Sequence, residues 1–187
     1  MPIVFIAGAI VAYVTSLLVQ VQHRTYTGVR WRSVHLLPIV LLGLWFISCW
    51  NLQLPLHYYL FGTVSLYLSL WDWLKLQVPI DGLVLLTCVS GFALYDGAAA
   101  HLYLILLLPI CFLALTLLIY KIKRLPIEIP WGDVWALACL GAWISDISEF
   151  LIIVGVTALL TALVRKQDGQ LPFIPALCFG TAIDILW

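Results

Sequence analysis

Eight apolar stretches, separated by short polar segments, occupy most of this 187-residue chain. They lie at roughly residues 2–20, 35–50, 56–71, 80–95, 101–120, 131–145, 149–164 and 171–187. A helix needs ~20 apolar residues to cross the ~30 Å hydrocarbon layer of a membrane, and several stretches are somewhat shorter than that. The pattern predicts an all-α fold: a polytopic integral membrane bundle of about eight transmembrane helices.

The composition points to the same class of protein. Hydrophobic residues make up 64% of the chain and charged residues only 10%, whereas soluble domains carry about 25% charged residues. The net charge of zero argues against nucleic acid as a partner. The longest polar stretch, QVQHRTYTGVRWRSVH, is too short to fold by itself. We therefore expect residues 1–187 to form a single membrane domain with the lipid bilayer around it.

The basic residues give an independent test of the eight stretches. All nine lysines and arginines follow the first, third, fifth or seventh stretch: Arg24, Arg30, Arg32, Lys75, Lys121, Lys123, Arg124, Arg165 and Lys166. They therefore fall on one side of the membrane, and the positive-inside rule makes that side cytoplasmic. The sequence predicts a multi-pass membrane protein with its N- and C-termini outside.

The cysteines and histidines show no ligand pattern. The five cysteines occur singly without CxxC spacing, which is typical of small buried residues and not of a zinc site. His23, His35, His57 and His101 share no ligand spacing. We therefore expect neither a metal nor an organic cofactor.

Two carboxylates stand apart from the other acidic residues. Asp72 ends the third stretch and Asp133 begins the sixth, so both belong at the cytoplasmic end of the bundle. Each residue could instead be an interfacial carboxylate at a helix end, and Asp133 could cap its own helix. Five others are expected to be solvated loop charges, and Asp184 interfacial or hydrogen-bonded within the bundle; the five are Asp96, Glu128, Asp146, Glu149 and Asp168.

The depth of Asp133 favours a pocket. Thirteen residues separate it from Asp146 (146 − 133), about 20 Å of continuous helix at ~1.5 Å per residue. If Asp146 lies at the outer boundary of the hydrocarbon layer, this helix is too short to reach the inner boundary. Asp133 would then lie within the layer, where a carboxylate exposed to lipid is costly. We expect it in a protein-lined, water-accessible pocket, unless the bilayer is thinned locally or Asp146 is recessed.

Three segments carry a resemblance to a known family. They are Asp72-Trp-Leu-Lys-Leu-Gln-Val-Pro-Ile-Asp81, Pro130-Trp-Gly-Asp133 followed by VWALACLGAWIS, and Leu171-Pro-Phe-Ile-Pro-Ala-Leu177 followed by Gly180. In order and spacing they resemble the prepilin peptidases, membrane aspartyl proteases with a Gly-x-Gly-Asp motif. The similar region covers about residues 56–187.

The resemblance implies an aspartic endopeptidase of the bacterial inner membrane that removes the leader of type IV prepilins or pseudopilins at the cytoplasmic face. Asp72 and Asp133 would be the catalytic residues, activating a water between them without a cofactor. The substrate would carry a short basic leader followed by a hydrophobic helix. Family members that also methylate have two CxxC pairs in the first cytoplasmic loop. The loop here has none, so methyltransferase activity is not expected. Neither substrate-binding residues nor an oligomeric state follows from the resemblance.

Two positions depart from the family pattern and keep alternatives open. Pro130 replaces the first motif glycine, and Trp135 replaces a lysine two positions after the second aspartate. One alternative is therefore an inactive relative that acts as an assembly subunit. Another is a small ion- or proton-coupled transporter that uses the same two aspartates.

The helix ends predict how charge divides between the two aspartates. Asp133 lies at a helix N-terminus, whose partial positive charge favours an anion, whereas Asp72 lies at a helix C-terminus. From this we expect Asp133 to be the more readily ionised member of the pair.

Overall fold

A computed structural model describes residues 2–27, 36–75, 78–95, 103–123, 129–164 and 173–186. In these ranges all regular structure is α-helical, which confirms the predicted all-α class. The eight helices are α1 (Pro2–Thr27), α2 (Leu36–Asn51), α3 (Leu56–Lys75), α4 (Ile80–Tyr95), α5 (Leu104–Lys123), α6 (Trp131–Leu140), α7 (Ile147–Val164) and α8 (Ile174–Leu186).

Proline fixes where several of these helices begin. Pro55, Pro79 and Pro130 stand immediately before α3, α4 and α6. Each proline carbonyl accepts an early hydrogen bond of its helix, at 3.1 Å in all three cases. Proline suits a helix start because the first backbone N–H groups have no partner within the helix.

Helix α6 is shorter than predicted. The expected helix over 131–145 ends at Leu140 and continues as a turn through Trp143. Beyond Gly141 the backbone N–H groups of Ala142 and Trp143 bond to carbonyls three residues back instead of four, so the α-helix gives way to a turn. The chain packs closely on α5 here: a Cβ added at Gly141 would lie 2.8 Å from the backbone carbonyl of Leu104. Asp133 and Asp146 are therefore not joined by one continuous helix. The predicted helical distance between them, from which the depth of Asp133 was inferred, was wrong.

Helix α3 lies at the centre of the bundle. It packs against α1, α2, α4 and α8, while α6 packs against α4, α5 and α8, and α7 against α8. One apolar core runs through these contacts, with fully buried side chains that include Phe61, Leu86, Leu140 and Leu177. Two polar bridges cross it, from Trp45 Nε1 to the Tyr58 carbonyl and from Trp143 Nε1 to Ser90 Oγ, both at 2.9 Å.

Two helices in the described ranges are long and apolar enough to cross a membrane, namely Pro2–Val21 and Leu104–Ile122. Helix α5 buries very little of its surface: Leu106, Ile110 and Ile122 are each more than half exposed. Helix α6, with 10 residues, is only ~15 Å long at ~1.5 Å per residue. The remaining helices are apolar and of intermediate length or carry polar residues.

The contacts of α8 define two ends of the bundle. At the end where α3 finishes and α6 and α8 begin, Asp72 contacts Ile174; we name this the aspartate end. At the end where α8 finishes and α7 begins, Asp184 contacts Ser145; we name this the opposite end.

Candidate aspartate site

Asp72 is held by the first backbone amide of α8. It lies in the last turn of α3 and is 5% exposed. The Ile174 N–H donates a hydrogen bond of 2.9 Å to its Oδ2. Because Ile174 begins α8, its N–H has no partner within the helix and is available to an anion. The contact fixes the Asp72 carboxylate between α3 and α8.

Asp133 lies in the same site. It is half-buried in the first turn of α6, and its carboxylate interacts electrostatically with that of Asp72. The structure thus brings together the two predicted site residues, which are 61 positions apart (133 − 72). In a partly desolvated site two neighbouring carboxylates oppose double ionisation.

The positions of the two aspartates at helix ends do not distinguish which carboxylate ionises more readily, as the sequence had suggested. Asp133 is in the first turn of α6 as expected. Asp72 is near the C-terminus of its own helix, but it also accepts the N-terminal amide of α8. Both carboxylates therefore face a helix N-terminus, and the proposed division of charge loses its basis. The amide of Ile174 was missed because its partner lies 102 positions away.

The two aspartate motifs pack against each other through Gly132 and Val78. A Cβ added at Gly132 would lie 3.0 Å from Val78 Cβ, so a larger residue would push the segments apart. Asp81, at the end of the first motif, accepts a hydrogen bond of 2.9 Å from the Tyr67 hydroxyl of α3. Gly132 therefore supports the approach of α6 to the start of α4.

The two departures from the family motif fit the structure without strain. Pro130 has φ −78° and ψ 73°, and this φ lies within the range that a proline ring imposes. Trp135 donates from Nε1 to Thr87 Oγ1 of α4 at 2.9 Å. Thr87 in turn donates to the Leu83 carbonyl and lies 3.3 Å from Cys139 Sγ. Trp135 thereby ties α6 to α4.

The third segment of the resemblance, residues 171–177, contacts α5 next to the site. Phe173 stacks on Phe112, with ring centroids 5.4 Å apart, and accepts the backbone N–H groups of Ala176 and Leu177. Leu171 and Pro172 lie outside the described residues. Phe173 thus contributes to the position of the α8 N-terminus, which holds Asp72.

The other acidic residues have different surroundings. Asp184 is buried and accepts hydrogen bonds from the Ser145 N–H, the Ser145 hydroxyl and the Asp146 N–H. Asp146 is exposed, and its carboxylate caps α7 by accepting the N–H groups of Ser148 and Glu149. Glu149 belongs to the first turn of α7 and not to a loop. Asp96, Glu128 and Asp168 lie outside the described residues.

Comparison with protein-family models, with curated proteins and with solved structures finds no match for this chain. Within the part of the chain that the structure describes, no three His, Cys, Asp or Glu side chains form a group that could hold a metal ion. The arrangement at the aspartate end is therefore a paired-carboxylate site, with one backbone amide donor on Asp72.

Proposed function

We propose that this chain is a membrane aspartic endopeptidase of the prepilin-peptidase type, which removes the leader peptide of prepilins or pseudopilins. The observation that carries the proposal is the convergence of Asp72, Asp133 and the α8 N-terminus at one end of the bundle. Each comes from a different one of the three segments on which the resemblance rests. A shared pair of carboxylates is the arrangement that activation of water for peptide hydrolysis requires.

The reaction divides two roles between the carboxylates. The ionised one takes a proton from a water molecule held between them, and the water oxygen attacks the scissile carbonyl carbon. The protonated one donates a hydrogen bond to the carbonyl oxygen and then transfers its proton as the tetrahedral intermediate forms. Collapse of that intermediate breaks the C–N bond, and the amine leaves with the proton taken from water. One hydroxyl of the intermediate returns its proton to the aspartate that protonated the carbonyl oxygen, which restores the starting state of the pair. The Ile174 amide holds Asp72 in place throughout.

We further propose that the helices form a polytopic bundle of about eight spans in the bacterial inner membrane, with the aspartate end facing the cytoplasm. The exposed apolar surface of α5 and the alternation of basic segments support this arrangement. The short α6, with 10 residues, supports a position of Asp133 near the cytoplasmic boundary, where a basic leader would reach the carboxylates.

The fit of Pro130 and Trp135 favours an active enzyme over an inactive relative. The φ of Pro130 is one that a proline ring imposes. Trp135 makes a cross-helix hydrogen bond, and both the Asp72–Ile174 hydrogen bond and the close approach of Gly132 to Val78 are present beside it.

Processing of a prepilin substrate tests the proposal. Co-expression of the chain with a prepilin should give leader removal, and Asp72→Asn or Asp133→Asn should each reduce it by a factor of at least about 10³, since either change removes the paired proton transfer. The matched control is Asp146→Asn at the opposite end. Asn is as good an N-cap as Asp, so this variant should process normally. Cleavage is measured by mass spectrometry of the mature N-terminus.

Two results would contradict the proposal. Full processing by either site variant would remove the paired-aspartate mechanism. Proton-coupled flux in proteoliposomes, lost in the same two variants and unaccompanied by cleavage, would favour the transporter instead.

A further inference from the structure

A groove runs along α3 between two helices that do not close over it. Helices α2 and α8 both pack on α3, but the described residues show no extensive packing of α2 against α8. The space between them is a cavity of about 390 Å³, with α3 as its floor. Leu44 of α2 and Phe179 of α8 form its rims, and each is about half exposed.

The groove leads to the aspartate site. On its floor lies Ser69, three residues before Asp72 and therefore almost one helical turn away. In the α8 wall lies Pro175, the residue after Ile174, whose amide binds Asp72. At the end of the groove away from the aspartates, the indole of Trp45 lies against Gly62, where an added Cβ would be 2.3 Å from the ring.

The groove is lined mainly by apolar side chains, but its floor also carries three small residues. Its floor presents Gly62, Ser65 and Ser69, at intervals of three and four residues that place them on one side of α3. The outward surface of α5 instead presents large residues such as Leu106 and Ile110. Small residues allow helix backbones to approach closely in a membrane, so the groove suits a helix better than a lipid chain.

We infer that this groove is the docking surface for the hydrophobic helix of the substrate, an inference that rests on the proposed function. The partner is a single apolar membrane helix with a basic segment at its cytoplasmic end. From Gly62 to Ser69 the floor is about 10 Å long, or two helical turns. The negative charge at its aspartate end, from the exposed Asp81 and from the Asp72–Asp133 pair, complements the basic segment.

Photocrosslinking tests the docking surface without requiring cleavage. A photoreactive phenylalanine analogue is placed at Leu44 or Phe179 on the rims, and at Leu118 of α5 as a control of similar exposure. The probe is a membrane-inserted peptide with a basic leader, a glycine and about 20 apolar residues. In an Asp133→Asn background, the rim positions should crosslink at least about tenfold more peptide than Leu118, as expected for a specific interface.

Filling the groove gives a second readout. Ala182→Leu adds bulk to the α8 wall far from the aspartates, and should raise KM for the same peptide about tenfold with kcat little changed. Leu118→Phe on α5 should leave both constants unchanged. A thermal unfolding curve for each variant confirms that the bundle is folded.

The outcomes separate the docking surface from the proposed function. Rim-specific crosslinks without any cleavage by the unmodified chain would support docking and contradict the peptidase. Cleavage with equal crosslinking at Leu44, Phe179 and Leu118, or crosslinks from the rims to lipid alone, would overturn the docking surface and leave the peptidase intact.

Discussion

Backbone amides hold two buried aspartates of this bundle, one at each end. Asp72 accepts the N–H of Ile174, and Asp184 accepts the N–H groups of Ser145 and Asp146. A buried carboxylate without donors is costly, and amides at helix starts supply donors without needing a positive side chain. Hydrogen bonds from backbone amides thus position a carboxylate of the candidate site at one end and stabilise a turn at the other.

The structural role of Asp184 leads to a prediction on stability. Asp184→Asn replaces one carboxylate oxygen by an NH2 group, which cannot accept the amide hydrogen bonds made at that position. We expect the free energy of unfolding to fall by about 1–3 kcal/mol, the cost of leaving a buried donor unsatisfied. Thermal unfolding in detergent micelles measures it.

Its control is Asp146→Asn, which retains an N-cap oxygen for α7 and should unfold like the unmodified chain. Below its unfolding transition, Asp184→Asn should still process substrate, because it lies at the opposite end from Asp72 and Asp133. Unchanged stability in this variant would show that the Asp184 hydrogen bonds contribute nothing measurable.

The residues of the site could be predicted only in part from the sequence. Asp72 and Asp133 stand out because both belong at the cytoplasmic end of the bundle and both lie in segments that resemble the prepilin-peptidase motifs. Their partners carry no such signal: Ile174 acts through its backbone, and Ser145 lies 39 positions from Asp184. Contacts of this kind depend on how distant helices pack, which one sequence does not specify.

At the scale of helices, starts are easier to predict than ends. Pro55, Pro79 and Pro130 mark three starts by local chemistry that needs no tertiary context. The end of α6 at Leu140 is harder to predict, because Gly141, Ala142 and Trp143 continue the apolar pattern. At Gly141 the chain also lies close to the backbone of α5, a tertiary contact that the local pattern does not contain.

The packing of α7 on α8 gives a prediction at this scale. A Cβ added at Gly180 would lie 2.6 Å from Val154 Cγ2, so Gly180→Ala should separate the helices. We expect a loss of about 1–3 kcal/mol in the free energy of unfolding, as for other overpacked interiors. Because α8 also carries the amide that holds Asp72, processing should decrease as well.

Gly155→Ala in α7 is the matched control, since a Cβ there meets no atom within 4 Å. It should change stability by no more than about 1 kcal/mol, and in the favourable direction by helix propensity. Equal unfolding temperatures for the two variants would contradict the role given to Gly180.

At the scale of the whole molecule, the apolar pattern predicts helices better than it predicts membrane crossing. Each of the eight stretches contains a helix in the described ranges, but only two of these helices have the length and composition of a span. The others are shortened by turns or interrupted by polar residues such as Asp72. Short helices and polar residues within apolar stretches also bring the carboxylates to one end of the bundle. The residues that form the site therefore make its helices look less like membrane spans.

The proposed orientation predicts which helix ends can be reached from outside the cell. Asn51→Cys at the end of α2 should react with a membrane-impermeant maleimide in intact spheroplasts, because the basic segments place that end outside. Trp131→Cys at the start of α6 should react only after permeabilisation. Both positions are exposed. The exposed native Cys88 and Cys111 are first replaced by alanine, and that variant without a new cysteine is the control. Labelling of Trp131→Cys in sealed spheroplasts would reverse the orientation and put the paired carboxylates out of reach of a cytoplasmic leader.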